Sequence, residues 1–405
     1  MPRVRPMLRD LRIRAGFAGL LGATTALGIA HSFVTPYLSL WATQQVELTA
    51  REFGGFMTVG ALCAILAGTL VARWSDLRLA RRTTLTLGAI CGVCGYLGYA
   101  WTNSPPLLVI LAATAVALST TCFPQLFAHV RETFDPPEAG AAHGALLVSL
   151  IRVCFSVAWT AGPAVAAVVV QQAGYRGLFL AAALLYTVFL LGVRRFVPYR
   201  KPTPHPIAHQ PVWRTLGRGD ILAAFLAFAA VFAAHAVNLM NLPLLITREL
   251  GGSARDVGLA FGIGPLVEIP LMLWFGHLAG RGHLRRLIQI GAAVTVAYFA
   301  LLGLATRPWH VFPVQVLSGV SFAILTNVAI LYFQDLLPEQ RGLGTALFAN
   351  AGNAGNLAGF LGFALLIEAL GHRHLYGPCT ALAVLTLVIL VCVRPRTAPP
   401  PMPRA

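Results

Sequence analysis

The chain has 405 residues, of which 57% are hydrophobic and only 11% charged, with a mean hydropathy of +0.73. A soluble domain carries roughly 25% charged residues, so this chain has too few charges to cover a water-facing surface, and lipid is its main solvent. The formal net charge of +16 suggests nucleic acid in a soluble protein, but here the basic residues sit between apolar runs, where they set topology and point to no nucleic-acid partner.

Apolar runs of the length that crosses a bilayer, about 20 residues, fall near 15–42, 52–73, 83–101, 105–131, 142–171 and 175–197. They continue near 219–247, 257–280, 287–306, 309–335, 344–369 and 375–394. This predicts an all-α membrane protein of twelve transmembrane helices in two six-helix, pseudo-symmetric halves. The expected boundaries are a first bundle over 1–197, a polar, proline-bearing linker over 198–218, a second bundle over 219–394 and a tail over 395–405. The first run is too long for a signal peptide's apolar core and reads as a first span.

The two halves repeat at an offset of 204 residues: Ala30-His31 falls on Ala234-His235, Ala50-Arg51-Glu52 on Ala254-Arg255-Asp256, and Arg81-Arg82 on Arg285-Arg286. A fixed, gapless offset points to duplication, and duplicated halves suggest a working site related to both. Of the 30 Lys and Arg residues, 23 lie on the termini, the linker and one set of loops, against six on the opposite loops. The positive-inside rule then expects both termini in the cytoplasm.

The seven cysteines lie in apolar segments. The Cys91/Cys94 pair has no second pair to complete a metal or redox site and reads as small apolar residues. No paired carboxylates, nucleophile elbow or phosphate loop is present, so neither an enzyme nor an ATP-driven pump is expected. No cofactor or metal is expected either.

An ionisable residue inside a span costs about 2.5–3.5 kcal/mol on insertion scales and normally faces a cavity or a partner. Glu268, near the middle of its span, is a candidate proton carrier; hydrogen bonding to substrate or a structural interhelix bond are the other readings. Arg152 is its candidate counter-charge or a donor to substrate hydroxyls. Gln125, Asn238, Asn241, Asn327, Asn350 and Asn353 supply paired donors and acceptors suited to polyhydroxylated ligands. Asn350 and Asn353 share a helix face, and Asn356 continues it, although neighbouring glycines offer close packing as a competing reason. His31 and His235 match in the two halves and read equally well as cavity residues or core histidines. Trp159, Phe123, Tyr37, Trp41 and Trp274 can stack on a sugar face or anchor the chain in lipid, and Trp159 is the strongest stacking candidate. Gly162-Pro163 removes a backbone bond and permits bending.

The loop Arg73-Trp-Ser-Asp76-Leu-Arg78-Leu-Ala-Arg81-Arg82, with twelve spans in two repeats around a basic linker, resembles the major facilitator superfamily. Asp76, Arg78, Arg81 and Arg82 are then expected to form a cytoplasmic gate with Arg131, Glu132 and Asp335. Finer stretches are similar to the bacterial sugar efflux transporters: Phe123-Pro-Gln-Leu-Phe-Ala, Arg152…Trp159…Gly162-Pro163, Asn241-Leu-Pro243, Glu268-Ile-Pro270 and Phe333-Gln-Asp335-Leu-Leu-Pro338. That resemblance implies export of lactose- or glucoside-like sugars by alternating access, as a proton antiporter, from a monomer in the bacterial inner membrane. A multidrug exporter on the same fold is the alternative, and a membrane sensor that binds without transporting is a third.

Overall fold

A computed structural model describes residues 16–77, 79–134, 141–199 and 215–393; within helices, the side chains of 73, 76, 77, 131–134, 141–149, 152, 280, 339 and 341 are not described. Among the described residues there is no β-strand. Twelve helical segments follow one another: α1 (Phe17–Gln44), α2 (Ala50–Leu77), α3 (Arg81–Trp101), α4 (105–134), α5 (141–173) and α6 (175–196), then α7 (Gly219–Leu244), α8 (Ala254–Leu278), α9 (Leu284–Gly303), α10 (Pro308–Leu336), α11 (341–370) and α12 (Tyr376–Cys392). α5 and α6 run into each other and are separated only at Gly174, whose φ of 64° ends one helix and starts the next. Gly371, with φ of 72°, separates α11 from α12 in the same way. Both breaks need a left-handed or mirror-extended backbone, which glycine adopts without the Cβ penalty.

The helices face lipid with apolar side chains. Leu62, Leu66 and Leu70 on α2 are about half exposed at four-residue spacing, one continuous stripe on the helix surface. Among the described residues, ten helical stretches are long and apolar enough to cross a membrane, and α12 adds a shorter apolar helix of 17 residues. With the 44-residue stretch Val153–Phe196 divided at Gly174, this is a multi-pass membrane fold of twelve helices.

The duplication is visible in the two connections that share the offset of 204. Glu47 and Gly251 both have positive φ, 61° and 72°. The amide of Val46 donates to the Trp41 carbonyl and that of Leu48 to Ala42; their counterparts Leu250 and Gly252 donate to Leu245 and Ile246. Each following helix opens on a cap of the same kind. Thr49 and Glu52 form a reciprocal capping box, and the Asp256 carboxylate accepts from the amide and hydroxyl of Ser253. These bonds satisfy helix-start amides that have no intrahelical partner.

The helices form two compact units. The first holds α1–α6 with Leu239–Leu266 and Arg307–Trp309; the second holds the remainder of α7 and α8 with α9–α12. In the first, Trp41 sits 5.2 Å from Tyr99 and 4.8 Å from Phe179, ring centre to ring centre. In the second, Phe228 packs edge-on to Phe333 and Phe348. There α11 approaches α7 through Gly355 and Gly359, where an added Cβ would collide with the backbone carbonyls of Ala229 and Ala233.

Small residues let helix backbones approach closely in a bilayer, and that gives a matched pair of variants. Gly359→Leu is expected to force α11 off α7 and lower the thermal unfolding midpoint in detergent, at a cost of about 1–3 kcal/mol for overpacking. Gly362→Leu, on the same helix but with nothing within 4 Å of its Cβ position, is expected to leave the midpoint within error.

Candidate functional site: the polar faces and the helix-end latch

α11 carries an open polar surface inside a span. Asn350, Asn353 and Asn356 are all exposed, whereas Leu347, Ala351, Gly355 and Gly359 on the other side are buried. At 100° per residue the three carboxamides cover roughly a third of the helix circumference. Lipid cannot satisfy carboxamides, so a face of this kind belongs against water, a ligand or protein. Glu268 is half-buried on α8 in the same compact unit. Asn327 is half-buried within a π-helical turn, Ala323–Val328, that interrupts α10; such turns loosen the regular ladder and recur at functional positions. Its amide lies 3.4 Å from both the Ala323 carbonyl and the Thr326 hydroxyl.

Other candidate amides are engaged within the bundle. Asn238 donates to the Tyr298 hydroxyl at 3.0 Å and accepts from the Tyr376 hydroxyl at 3.0 Å, while Gln315 donates to Tyr298 at 3.3 Å. This network joins α7, α9, α10 and α12. Asn241 is fully buried. His235 lies between Phe299 and Phe322, with ring centres at 5.2 and 4.6 Å, and its Nδ1 has no hydrogen-bond partner among the described residues. His31 is half-buried, with Nε2 3.5 Å from the Tyr186 hydroxyl and the ring 6.4 Å from Phe155. The matched histidines therefore sit in different settings.

The aromatic candidates divide as well. Tyr37 and Trp41 are fully buried and offer no open face, whereas Trp274 is exposed beside Phe275. Trp159 is half-buried on α5, one turn before Gly162-Pro163. Arg152 lies on the same helix, and its side chain is outside the described residues.

Of the residues expected at the gate, Arg81 belongs to a hydrogen-bonded cluster around Gln125. The Gln125 carboxamide oxygen accepts from Ser75 at 3.0 Å and from Arg81 at 2.8 Å, with Thr84 at 3.4 Å; Arg81 also donates to Ser75 at 2.8 Å. Gln125 thus ties α2, α3 and α4 together at one helix end. Arg82 donates to the Arg194 carbonyl at 2.8 Å, and Arg285 in the second unit to the Val391 and Val393 carbonyls. Each guanidinium caps the last turn of a neighbouring helix, where carbonyls lack donors and the dipole favours a cation. Asp335 is exposed at the end of α10, next to Gln334, which donates to Thr345 at 2.9 Å. The side chains of Asp76, Arg131 and Glu132, and Arg78 altogether, lie outside the described residues. Ser75 and Thr84 were not among the expected gate residues, because a hydroxyl beside an arginine has no distinguishing spacing.

A second junction was also not expected. Gly258 and Gly262 on α8 rest on α5: an added Cβ would lie 2.6 Å from the Pro163 carbonyl and 2.7 Å from that of Thr160, respectively. The signal was present as Gly-Leu-Ala-Phe-Gly, a small-xxx-small spacing.

Gln125→Leu is expected to strand buried donors, lowering stability by about 1–3 kcal/mol in detergent unfolding while leaving the substrate KM of surviving protein unchanged. A raised KM with unaltered stability would instead place Gln125 against substrate.

The sequence profile of the Major Facilitator Superfamily matches residues 20–305 and 224–405. A Deinococcus radiodurans protein with "sugar efflux transporter" in its name is 32% identical over 376 residues, covering 90% of this chain and 95% of that one. Sugar efflux transporter A of Dickeya chrysanthemi is 30% identical over 328 residues, covering 81% and 83%. Among solved structures, nucleoside transporter NupG superposes with a TM-score of 0.75 at 13% identity, covering 93% of this chain and 98% of that one, a likeness of fold alone. The chain therefore belongs to the major facilitator superfamily, in the branch that holds these sugar efflux transporters, and is a membrane transporter and not an enzyme.

Proposed function

We propose that this chain exports sugars of the lactose or glucoside type from the cytoplasm by alternating access, in exchange for protons. The observation that carries the reading is the exposed carboxamide face of α11 (Asn350, Asn353 and Asn356) in an otherwise apolar span. A carboxamide offers two donors and an acceptor in one plane, which suits the dense hydroxyls of a sugar better than it suits an apolar or cationic drug. Two relatives at 30–32% identity over most of the chain carry sugar efflux in their names, which supports the same substrate class.

Glu268 is the proposed proton site. It is a carboxylate in the middle of an apolar helix, where the neutral and charged forms differ most in solvation, so binding and release of a proton there is strongly coupled to access of water. Arg152 is its proposed counter-charge, and Trp159 the stacking partner of the sugar ring. The protein is proposed to work as a monomer in the bacterial inner membrane, its two bundles joined by the 198–218 linker and both termini cytoplasmic, an orientation that the distribution of basic residues supports.

The test uses everted membrane vesicles with an imposed inside-acid gradient and radiolabelled lactose or a β-glucoside. Wild type is expected to accumulate sugar; Glu268→Gln is expected to lose gradient-driven accumulation while keeping gradient-free sugar exchange. Asn353→Ala is expected to raise KM about tenfold, the loss of roughly one directed hydrogen bond to substrate. No sugar movement in wild type, with gradient-driven movement of a cationic dye, would replace the sugar reading with a multidrug exporter.

A further inference from the structure

Tyr37 closes a three-helix junction that no gating residue named so far accounts for. It lies in the 3₁₀ turn Thr35–Tyr37 that interrupts α1, and its ring is completely buried. Its hydroxyl is 2.7 Å from the Pro163 carbonyl on α5 and 3.1 Å from the Ala254 carbonyl at the start of α8. All of these atoms lie in the first compact unit. A phenol has one proton to donate, so two carbonyls on two helices share a single donor.

The surroundings leave this donor little freedom. An added Cβ on Gly258 would lie 2.6 Å from both the Tyr37 hydroxyl and the Pro163 carbonyl, so α8 can approach only because that position is glycine. On the other side, Ser32 of α1 donates to the Ala158 carbonyl at 3.0 Å and fills the space over Gly162, which ties α1 to the Gly162-Pro163 segment. α1 and α5 come from the first sequence repeat and α8 from the second. In a carrier whose repeats move against each other, the Tyr37–Pro163 bond stays within one repeat and the Tyr37–Ala254 bond crosses between them.

We propose that Tyr37 is a positioning residue for transport: its hydroxyl holds the first turn of α8 against the bend of α5 and gives its hydrogen bond wholly to the Pro163 carbonyl when that end opens. A buried hydroxyl left without an acceptor is costly; here the Pro163 carbonyl remains, so opening breaks a bond without orphaning the donor. The latch is therefore weak and readily reversed, which suits an end that opens in every cycle. This inference rests on alternating access and not on the identity of the substrate.

The experiment places spin labels at Gln45 and Arg255, both exposed at this end, in full-length protein reconstituted in nanodiscs with its seven native cysteines replaced. Electron–electron double resonance reads the distance populations. Wild type is expected to show a short and a long distance, and Tyr37→Phe to raise the long-to-short ratio about fivefold, the size of one hydrogen bond. Gly258→Ala, which pushes α8 off α5 by sterics, is expected to shift the ratio the same way and reports that the labels sense this junction. An unchanged ratio in Tyr37→Phe, with Gly258→Ala shifted, would overturn the role of the hydroxyl while leaving alternation intact. A single wild-type distance at every pH and sugar concentration would overturn alternation, and the latch with it.

Discussion

Inside a bilayer there is no water to complete a hydrogen bond, so each backbone and side-chain polar group must find its partner in the protein or line a wet space. Most of this fold is the working-out of that constraint. Thr24, Thr58, Thr187 and Thr380 each return their hydroxyl to the carbonyl four residues back in their own helix. Asn238 spends both ends of its carboxamide on two tyrosines. Arg82 and Arg285 close the open carbonyls of neighbouring helices. Against that background the exposed carboxamides of α11 stand out, and their exposure is the ground on which they are proposed as a working surface.

The duplicated connections show how the constraint and the mechanism meet. Each repeat leaves its first helix through a left-handed residue, turns on the same two backbone bonds and starts the next helix on a hydroxyl–carboxylate cap. Such a connection satisfies much of its own backbone locally. The contacts that cross between repeats in the first unit are of another kind, built on glycine, carbonyls and one phenol. Locally satisfied connections, and a junction in the first unit made from a few reversible contacts, suit a carrier whose repeats move as bodies.

Much of this was legible in the sequence. Hydropathy alone placed the spans, because twenty apolar residues in a row have one common use; the expected 83–101 is Arg81–Trp101 in the structure, and the expected gap between 171 and 175 contains the break at Gly174. The 204-residue offset pointed to the paired connections. The fate of individual polar residues was not legible. Asn238 looks like Asn353 in sequence, but its partners lie 60 and 138 residues away, and nothing local distinguishes a satisfied core amide from an open one. Gln125 likewise reads as a ligand residue until Ser75 and Arg81 are brought to it. Residue type states what a side chain can bond, and only packing states what it does bond.

The central claim is that the carboxamide face of α11 is wet and meets the sugar. Its most direct test is the reactivity of Asn353→Cys, in protein with the native cysteines replaced, toward a charged, lipid-insoluble thiol reagent. The account predicts rapid labelling that a saturating concentration of transported sugar suppresses, while a cysteine at Leu365, an exposed apolar position further along the same helix, stays unlabelled. Asn353→Cys that resists the reagent as fully as the Leu365 position, or that labels at the same rate with and without sugar, would contradict it.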